Sequence, residues 1–181
     1  MRRTLLTLLL LLWLSALGCS RLTGGEWDGL LYSFESEAEL DRFRWKCGQL
    51  FALSDEHATH GEKSLRLEIY PAAYSGLRPA IERRDWSAFR SLRFDVFNPQ
   101  KEELRLSVRI DDVRDRLDYA DRYNHSFRLA PGANRICLPL EALVTLGTRR
   151  KLNRRDIWAL YIFLAHPQAK KVLYFDHLRL E

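Results

Sequence analysis

Apolar and polar residues alternate with a period of two along most of the chain after Leu30, and the apolar positions are rich in β-branched and aromatic residues. That period marks strands with one buried and one solvated face. It predicts ten strands, at 30–35, 49–54, 64–70, 77–82, 91–98, 103–111, 124–129, 134–138, 157–164 and 172–180. Helical spacing is confined to 37–43 and 141–146, both shorter than the ten or so periodic residues of an ordinary helix. His60-Gly61, Asn98-Pro99 and Pro131-Gly132 supply turn chemistry between strands. Evenly spaced strands with little helix predict an all-β sandwich.

The alternation also assigns faces. Leu104, Leu106, Val108 and Ile110 point one way, and Arg105, Ser107, Arg109 and Asp111 the other. Leu92, Phe94 and Val96 oppose Arg93, Asp95 and Phe97, while Leu160, Ile162 and Leu164 oppose Ala159, Tyr161 and Phe163. If these strands share a sheet, its outer face collects arginine, aspartate and aromatic side chains, a mixture suited to sugar.

The N-terminus breaks the pattern. Arg2 and Arg3 precede a leucine-rich run over 5–14 and then Ser15-Ala16-Leu17-Gly18-Cys19, the order of a secretion signal. The greasy run is shorter than the roughly 20 apolar residues of a membrane span. Leu17-Gly18-Cys19 resembles a bacterial lipobox, with Ala16 where that family most often has leucine. The resemblance implies lipidation of Cys19, cleavage in front of it and anchoring through acyl chains. Ser20, in place of aspartate, implies the outer membrane of the bacterial envelope. An ordinary cleaved signal with an incidental cysteine is the other reading of the same residues. The expected organisation is a signal peptide over 1–18, a lipidated cysteine and Gly24-Gly25 tether over 19–29, and a single β domain over 30–181.

The formal charge of +5 falls to +3 once Arg2 and Arg3 leave with the signal, and the remaining bases are interleaved with acids. No clustered basic stripe marks nucleic acid as a partner. Cys47 and Cys137 remain in an oxidising compartment, either as a disulfide or as two separate thiols.

Leu30-Leu31-Tyr32-Ser33-Phe34-Glu35 ahead of Trp45, and Gly61-Glu62-Lys63-Ser64-Leu65-Arg66-Leu67 after it, resemble the opening strands of galactose-binding-like jelly rolls. Asp85-Trp86-Ser87, the run from Ser91 to Pro99, and Tyr119-Ala120-Asp121-Arg122-Tyr123-Asn124 followed by Phe127-Arg128-Leu129 continue the likeness in order. Tyr174-Phe175-Asp176-His177-Leu178-Arg179-Leu180 resembles the last strand of such domains. They occur as carbohydrate-binding modules of glycoside hydrolases and in the complex I intermediate-associated protein family. The resemblance implies a jelly-roll β-sandwich that binds either a glycan or an envelope protein; fold alone does not choose. It also implies a structural calcium between an early-strand acid and a last-strand aspartate, here Glu35 and Asp176, with backbone carbonyls completing the six to eight oxygens.

A glycan needs flat aromatic surface and planar polar groups for its hydroxyls. Arg109 and Asp111, the connection residues Tyr119, Asp121, Arg122, Tyr123 and Asn124, and the platform Tyr161 are the candidate ligand-binding residues. Asp121, Arg122 and Asn124 serve equally well as pins of their own loop. An aromatic and arginine groove favours sugar as the partner; a flat apolar patch favours a protein. His57 and His60 beside Glu56 lack the further ligands of a metal site. No nucleophile elbow or phosphate-cradling glycine loop is present. Arg114, Arg116 and Arg122 interleave the acids Asp111, Asp112, Asp115, Asp118 and Asp121, which reads as a charge-balanced loop rather than a glycosidase pair. The expectation is a binding module, not an enzyme.

Overall fold

The computed structural model describes residues 29–44, 48–114 and 118–181. The signal, Cys19, Trp45, Cys47, Asp115 and Arg116 lie outside the described residues. Among the described residues, ten antiparallel strands form two sheets: β1 (Leu30–Tyr32), β2 (Gln49–Ser54), β3 (Ser64–Ile69), β4 (Tyr74–Leu77), β5 (Ser91–Asn98), β6 (Leu104–Asp111), β7 (Tyr123–Leu129), β8 (Gly132–Pro139), β9 (Ala159–Ala165) and β10 (Lys171–Leu180). The larger sheet runs β2-β3-β10-β5-β8, and the smaller runs β4-β9-β6-β7. β1 joins the larger sheet by pairing with β10, Leu30 opposite Arg179 and Tyr32 opposite Leu178. Helix among the described residues is limited to α1 (Glu37–Leu40) and 3-10 turns at Tyr119–Asp121 and Leu140–Ala142. This is an all-β jelly-roll sandwich.

Period-two alternation builds the core. Leu65, Leu67 and Ile69 of β3, Leu92, Phe94 and Val96 of β5, and Leu173 and Phe175 of β10 face Leu106, Val108 and Ile110 of β6 and Leu160, Ile162 and Leu164 of β9 in one buried cluster. Trp86 is wholly buried, and its indole N–H donates to the Arg83 carbonyl at 2.8 Å, so the polar atom of a large apolar side chain is satisfied. Phe43 stacks on Tyr32 and on Phe51, with centroids 5.2 and 5.1 Å apart, and so packs α1 against β1 and β2. The described core runs from Tyr32 to Leu180 and the first strand pairs with the last, so residues 29–181 carry both sheets and the cluster between them.

Three details depart from the sequence reading. The fourth strand lies at Tyr74–Leu77 rather than at 77–82. Pro79 lacks the N–H a ladder needs and makes only an isolated bridge to Phe43, and the strand ends at Leu77, two residues before it. β5 belongs to the larger sheet, between β10 and β8, so Arg93, Asp95 and Phe97 lie on the opposite side of the molecule from Arg109 and Tyr161. The helical stretch after Glu141 ends by Ala142, and Val144 bridges Lys151 instead.

Candidate functional site

The outer face of the smaller sheet is ordered in rows across its four strands. Tyr161 sits opposite Arg109, Arg109 opposite Asn124, and Arg78, the residue after β4, brings its guanidinium to 5.0 Å from the Tyr161 ring. Arg109 approaches the same ring to 4.5 Å, so Tyr161 is flanked by two cations. In the next row Gly76, Phe163, Ser107 and Ser126 pair in register, and the two serine hydroxyls lie 3.1 Å apart. Beyond it stands Tyr74, opposite Ala165, with its ring edge-on to Phe163 at 5.6 Å.

A row of glycine and serines between rows of large side chains makes a trough. The resulting cleft has a volume of about 480 Å³ and is lined by Tyr74, Ser107, Arg109, Tyr119, Arg122, Asn124, Ser126, Tyr161, Phe163, Ala165 and His166. It crosses the strands, whose spacing gives it a length of about 14 Å. Gly76 lets β4 approach β9 beside it: a Cβ there would run into the Ile162 carbonyl and Phe163. Among the described residues four large hydrophobic side chains are exposed, and two of them, Tyr74 at 51% and Tyr119 at 62%, stand on this cleft. The Asn124 amide nitrogen is buried beside it with no hydrogen-bond partner among the described residues.

The structure brings Arg109, Tyr119, Arg122, Asn124 and Tyr161 to one cleft and puts the other three candidates beside or behind it. Asp111 lies at its end, accepting from Arg109 Nε at 2.9 Å and Nη2 at 2.5 Å, and so fixes the guanidinium plane against Tyr161. Tyr123 opens β7 and turns into the core, where burial pushes its phenol up to about 12. Asp121 is buried beneath its loop, accepting from Thr148 Oγ1 at 2.9 Å and from Arg150 Nε and Nη2 at 3.1 Å each.

The pinning of that loop belongs to a larger network. Arg150 Nη1 and Nη2 donate to Asp112 at 2.6 and 2.9 Å, and Asp112 also accepts the Asn153 backbone N–H. Burial raises the Asp112 carboxyl, but Arg150 and the Asn153 amide outweigh it and hold the group below the ordinary carboxylate value. The segment carrying Arg150 also bonds the loop through its backbone: Leu146 N–H donates to the Arg122 carbonyl at 3.0 Å and Gly147 N–H to Ala120 at 2.8 Å. Asp112, Asp121 and Arg150 therefore position Tyr119 and Arg122 over the trough.

Sequence reasoning missed Tyr74, Ser107, Ser126, Phe163 and His166 as lining residues. Phe163 and Ser107 carry the outward phase of their strands and were open to detection. Tyr74 was hidden because Ser75-Gly76 has poor strand propensity, and the predicted strand began after them.

Glu35 and Asp176 clasp one loop on the other side of the molecule. Glu35 Oε1 accepts the N–H groups of Glu62 and Lys63 at 3.1 and 3.0 Å. Asp176, 1% exposed, accepts from the backbone N–H of Thr59, His60 and His177 and from the Thr59 hydroxyl. Gly61, at φ +71°, passes so close to Glu35 that a Cβ would overlap the carboxylate. Calcium needs six to eight oxygens. Here the groups converging on the two acids are mostly amide hydrogens, and no cluster of three His, Cys, Asp or Glu side chains that could hold a metal exists among the described residues. As arranged, this donor set does not fit a calcium ion.

No family model and no curated protein sequence matches the chain. Solved structures do. An exo-β-agarase aligns over 84% of this chain and 24% of its own, with a TM-score of 0.67 and 16% identity, so the chain spans about a quarter of that enzyme. A family 11 carbohydrate-binding module from Clostridium thermocellum, solved in complex with a β-1,3-1,4-mixed-linked tetrasaccharide, aligns over 77% of this chain and 92% of its own, with a TM-score of 0.53 and 13% identity. A C-terminal family 22 carbohydrate-binding module from the same organism, whose cleft residues were studied for ligand binding, aligns over 87% and 94%, with a TM-score of 0.54 and 13% identity. The chain therefore has the galactose-binding-like β-sandwich fold found in carbohydrate-binding modules.

Proposed function

We propose that this protein is a non-catalytic carbohydrate-binding module, tethered to the bacterial envelope through a lipid on Cys19, that takes a polysaccharide across its smaller sheet. The observation that carries the reading is the trough itself. Exposed Tyr74 and Tyr119 rise beside a floor of Phe163 and serines, and Arg109, aligned by Asp111, borders it with Tyr161 and Asn124. Rings of that kind suit the apolar faces of sugars, and the guanidinium and amide suit paired hydroxyls. A groove rather than a flat apolar patch favours a glycan over a protein partner.

The non-catalytic part of the reading is supported by the acids. Asp111, Asp112 and Asp121 are each engaged with arginine, and Asp118 caps the turn at Ala120 N–H. Hydrolysis needs two carboxyls facing each other across an open bond. The test is retention of residues 29–181 in affinity gels containing a panel of polysaccharides, peptidoglycan included. Selective retention competed by free oligosaccharide is expected, with dissociation constants on the order of micromolar to millimolar. No retention across the panel would transfer the cleft to an envelope protein partner.

A further inference from the structure

We infer that the outer face of the larger sheet holds a second, smaller site, which takes a single neutral sugar ring. Two rows of that face build its floor. Tyr174, Phe97 and Ala133 stand in register across β10, β5 and β8, and in the neighbouring row Asp95 stands opposite Arg135. The loop between β2 and β3 folds over β10 and β5, fixed by amide hydrogen bonds from Thr59 and His60 to Asp176. It lays the His57 ring flat on Phe97, with centroids 3.5 Å apart and planes 9° from parallel, and edge-on to Tyr174 at 4.7 Å. Ala133, with its small side chain, leaves room beside this stack, and Arg135 follows it on the same strand. The resulting cavity has a volume of about 290 Å³ and lies on the opposite side of the molecule from the cleft.

Two observations point to a ligand here. His57 adopts φ +60°, a conformation that costs a residue with a side chain, and the ring it delivers stays exposed, so the stack on Phe97 offers a flat platform. Asp95 and Arg135 are opposite charges directly across two strands, an arrangement that is stabilising when the two pair. Among the described residues no ion pair joins them. Asp95 Oδ2 accepts the Thr59 hydroxyl at 2.7 Å instead, and Arg135 is exposed; both border the cavity. A carboxylate that accepts and a guanidinium that donates match two neighbouring hydroxyls, each of which does both. One charge of each sign favours a neutral ligand over an ion. Asn134 also lines the cavity, but its amide is bound into the preceding turn through Ala130 and Gly132. The volume lies at the lower limit of the roughly 300–1,000 Å³ of small-molecule sites, room for one ring rather than for a chain.

The site stands independently of the cleft, and the test separates the two. Residues 29–181 are titrated with glucose, galactose, mannose and N-acetylglucosamine, with alanine as a zwitterion that is not a sugar, and chemical shifts are followed by NMR in the wild type and in Tyr161→Ala, which disables the cleft. At least one sugar is expected to give saturable shifts centred on His57, Thr59, Asp95 and Arg135, with a dissociation constant on the order of millimolar, and to give them equally in Tyr161→Ala. Arg135→Gln should weaken that binding at least about fivefold at an unchanged melting temperature. His57→Gly, which removes the ring and accepts the same φ, should weaken it as well. No saturable shift at these residues from any sugar, or undiminished binding in both variants, would overturn the second site. Shifts confined to Tyr161 and Phe163 would overturn it too and leave the cleft reading intact. Alanine shifting the same residues as strongly as the sugars would replace the sugar by a zwitterion and refute the assignment.

Discussion

At the residue scale, the geometry of the cleft depends on side chains that do not line it. Asp111 holds the Arg109 guanidinium beside Tyr161, and Asp112, with its side chain 2% exposed, holds Arg150, which in turn holds Asp121 under the Tyr119 loop. Removing Asp112 takes from Arg150 one of its two carboxylate partners and leaves the Asn153 N–H without its acceptor. Asp112→Ala should therefore cost about 2–3 kcal/mol and lower the melting temperature by about 5–10 °C, read by calorimetry. Charge also sets the acid limit of the fold. Hydrogen bonds from Lys170, Arg66 and Tyr70 hold the Glu68 carboxyl at about 2, and Asp112 is depressed as well. Both groups are more acidic folded than unfolded, so below an ordinary carboxylate value of about 4 the unfolded chain binds more protons. The stability they contribute is complete above that pH and is lost as pH falls toward 2. A melting temperature that declines through this window, with a shallower decline in Glu68→Gln, is the expected profile; identical profiles would remove Glu68 from the account.

At the scale of elements, most of the fold was legible because a period of two is robust wherever one face is buried. Nine of the ten strands were predicted to within a few residues, and β2 and β5 match to the residue. The failure at β4 has a local cause, since a four-residue edge strand containing Ser75-Gly76 and followed by Pro79 carries almost no propensity signal. That short strand nevertheless supplies Tyr74 and the gap at Gly76 that makes room for Phe163. Sheet membership was illegible for a different reason: alternation says which residues share a face of a strand, not which strands share a sheet, so β5 was grouped with β6 and β9. Glu35 and Asp176 illustrate the same limit. The likeness to jelly rolls named them together as calcium ligands, but the loop they share and the amide donors they engage were not legible. Asp176→Asn should lower the melting temperature, because it weakens four hydrogen bonds in a buried site, whereas a chelator should leave the wild-type melt unchanged. A chelator-induced drop would restore calcium to this loop.

At the scale of the molecule, the two sheets divide the work. The larger carries the first and last described strands and the clasped loop, while the smaller carries the trough. Of the eight candidate ligand residues, five converge on that trough. Of the other three, Asp111 stands at its end on Arg109, Tyr123 opens a strand and turns into the core, and Asp121 is held under its loop by Arg150, a partner far along the chain. The proposed anchor concerns where the module acts: Cys19→Ser should move the protein from the membrane to the soluble fraction and abolish palmitate incorporation. An unchanged membrane fraction would discard the lipid.

The most direct test of the central claim is affinity-gel retention of wild-type residues 29–181 beside Tyr161→Ala, with melting temperatures recorded for both. Retention of the wild type on at least one polysaccharide, lost in Tyr161→Ala at a melting temperature within a few degrees, is the predicted result. Equal retention of both proteins would contradict the placement of the glycan in this cleft.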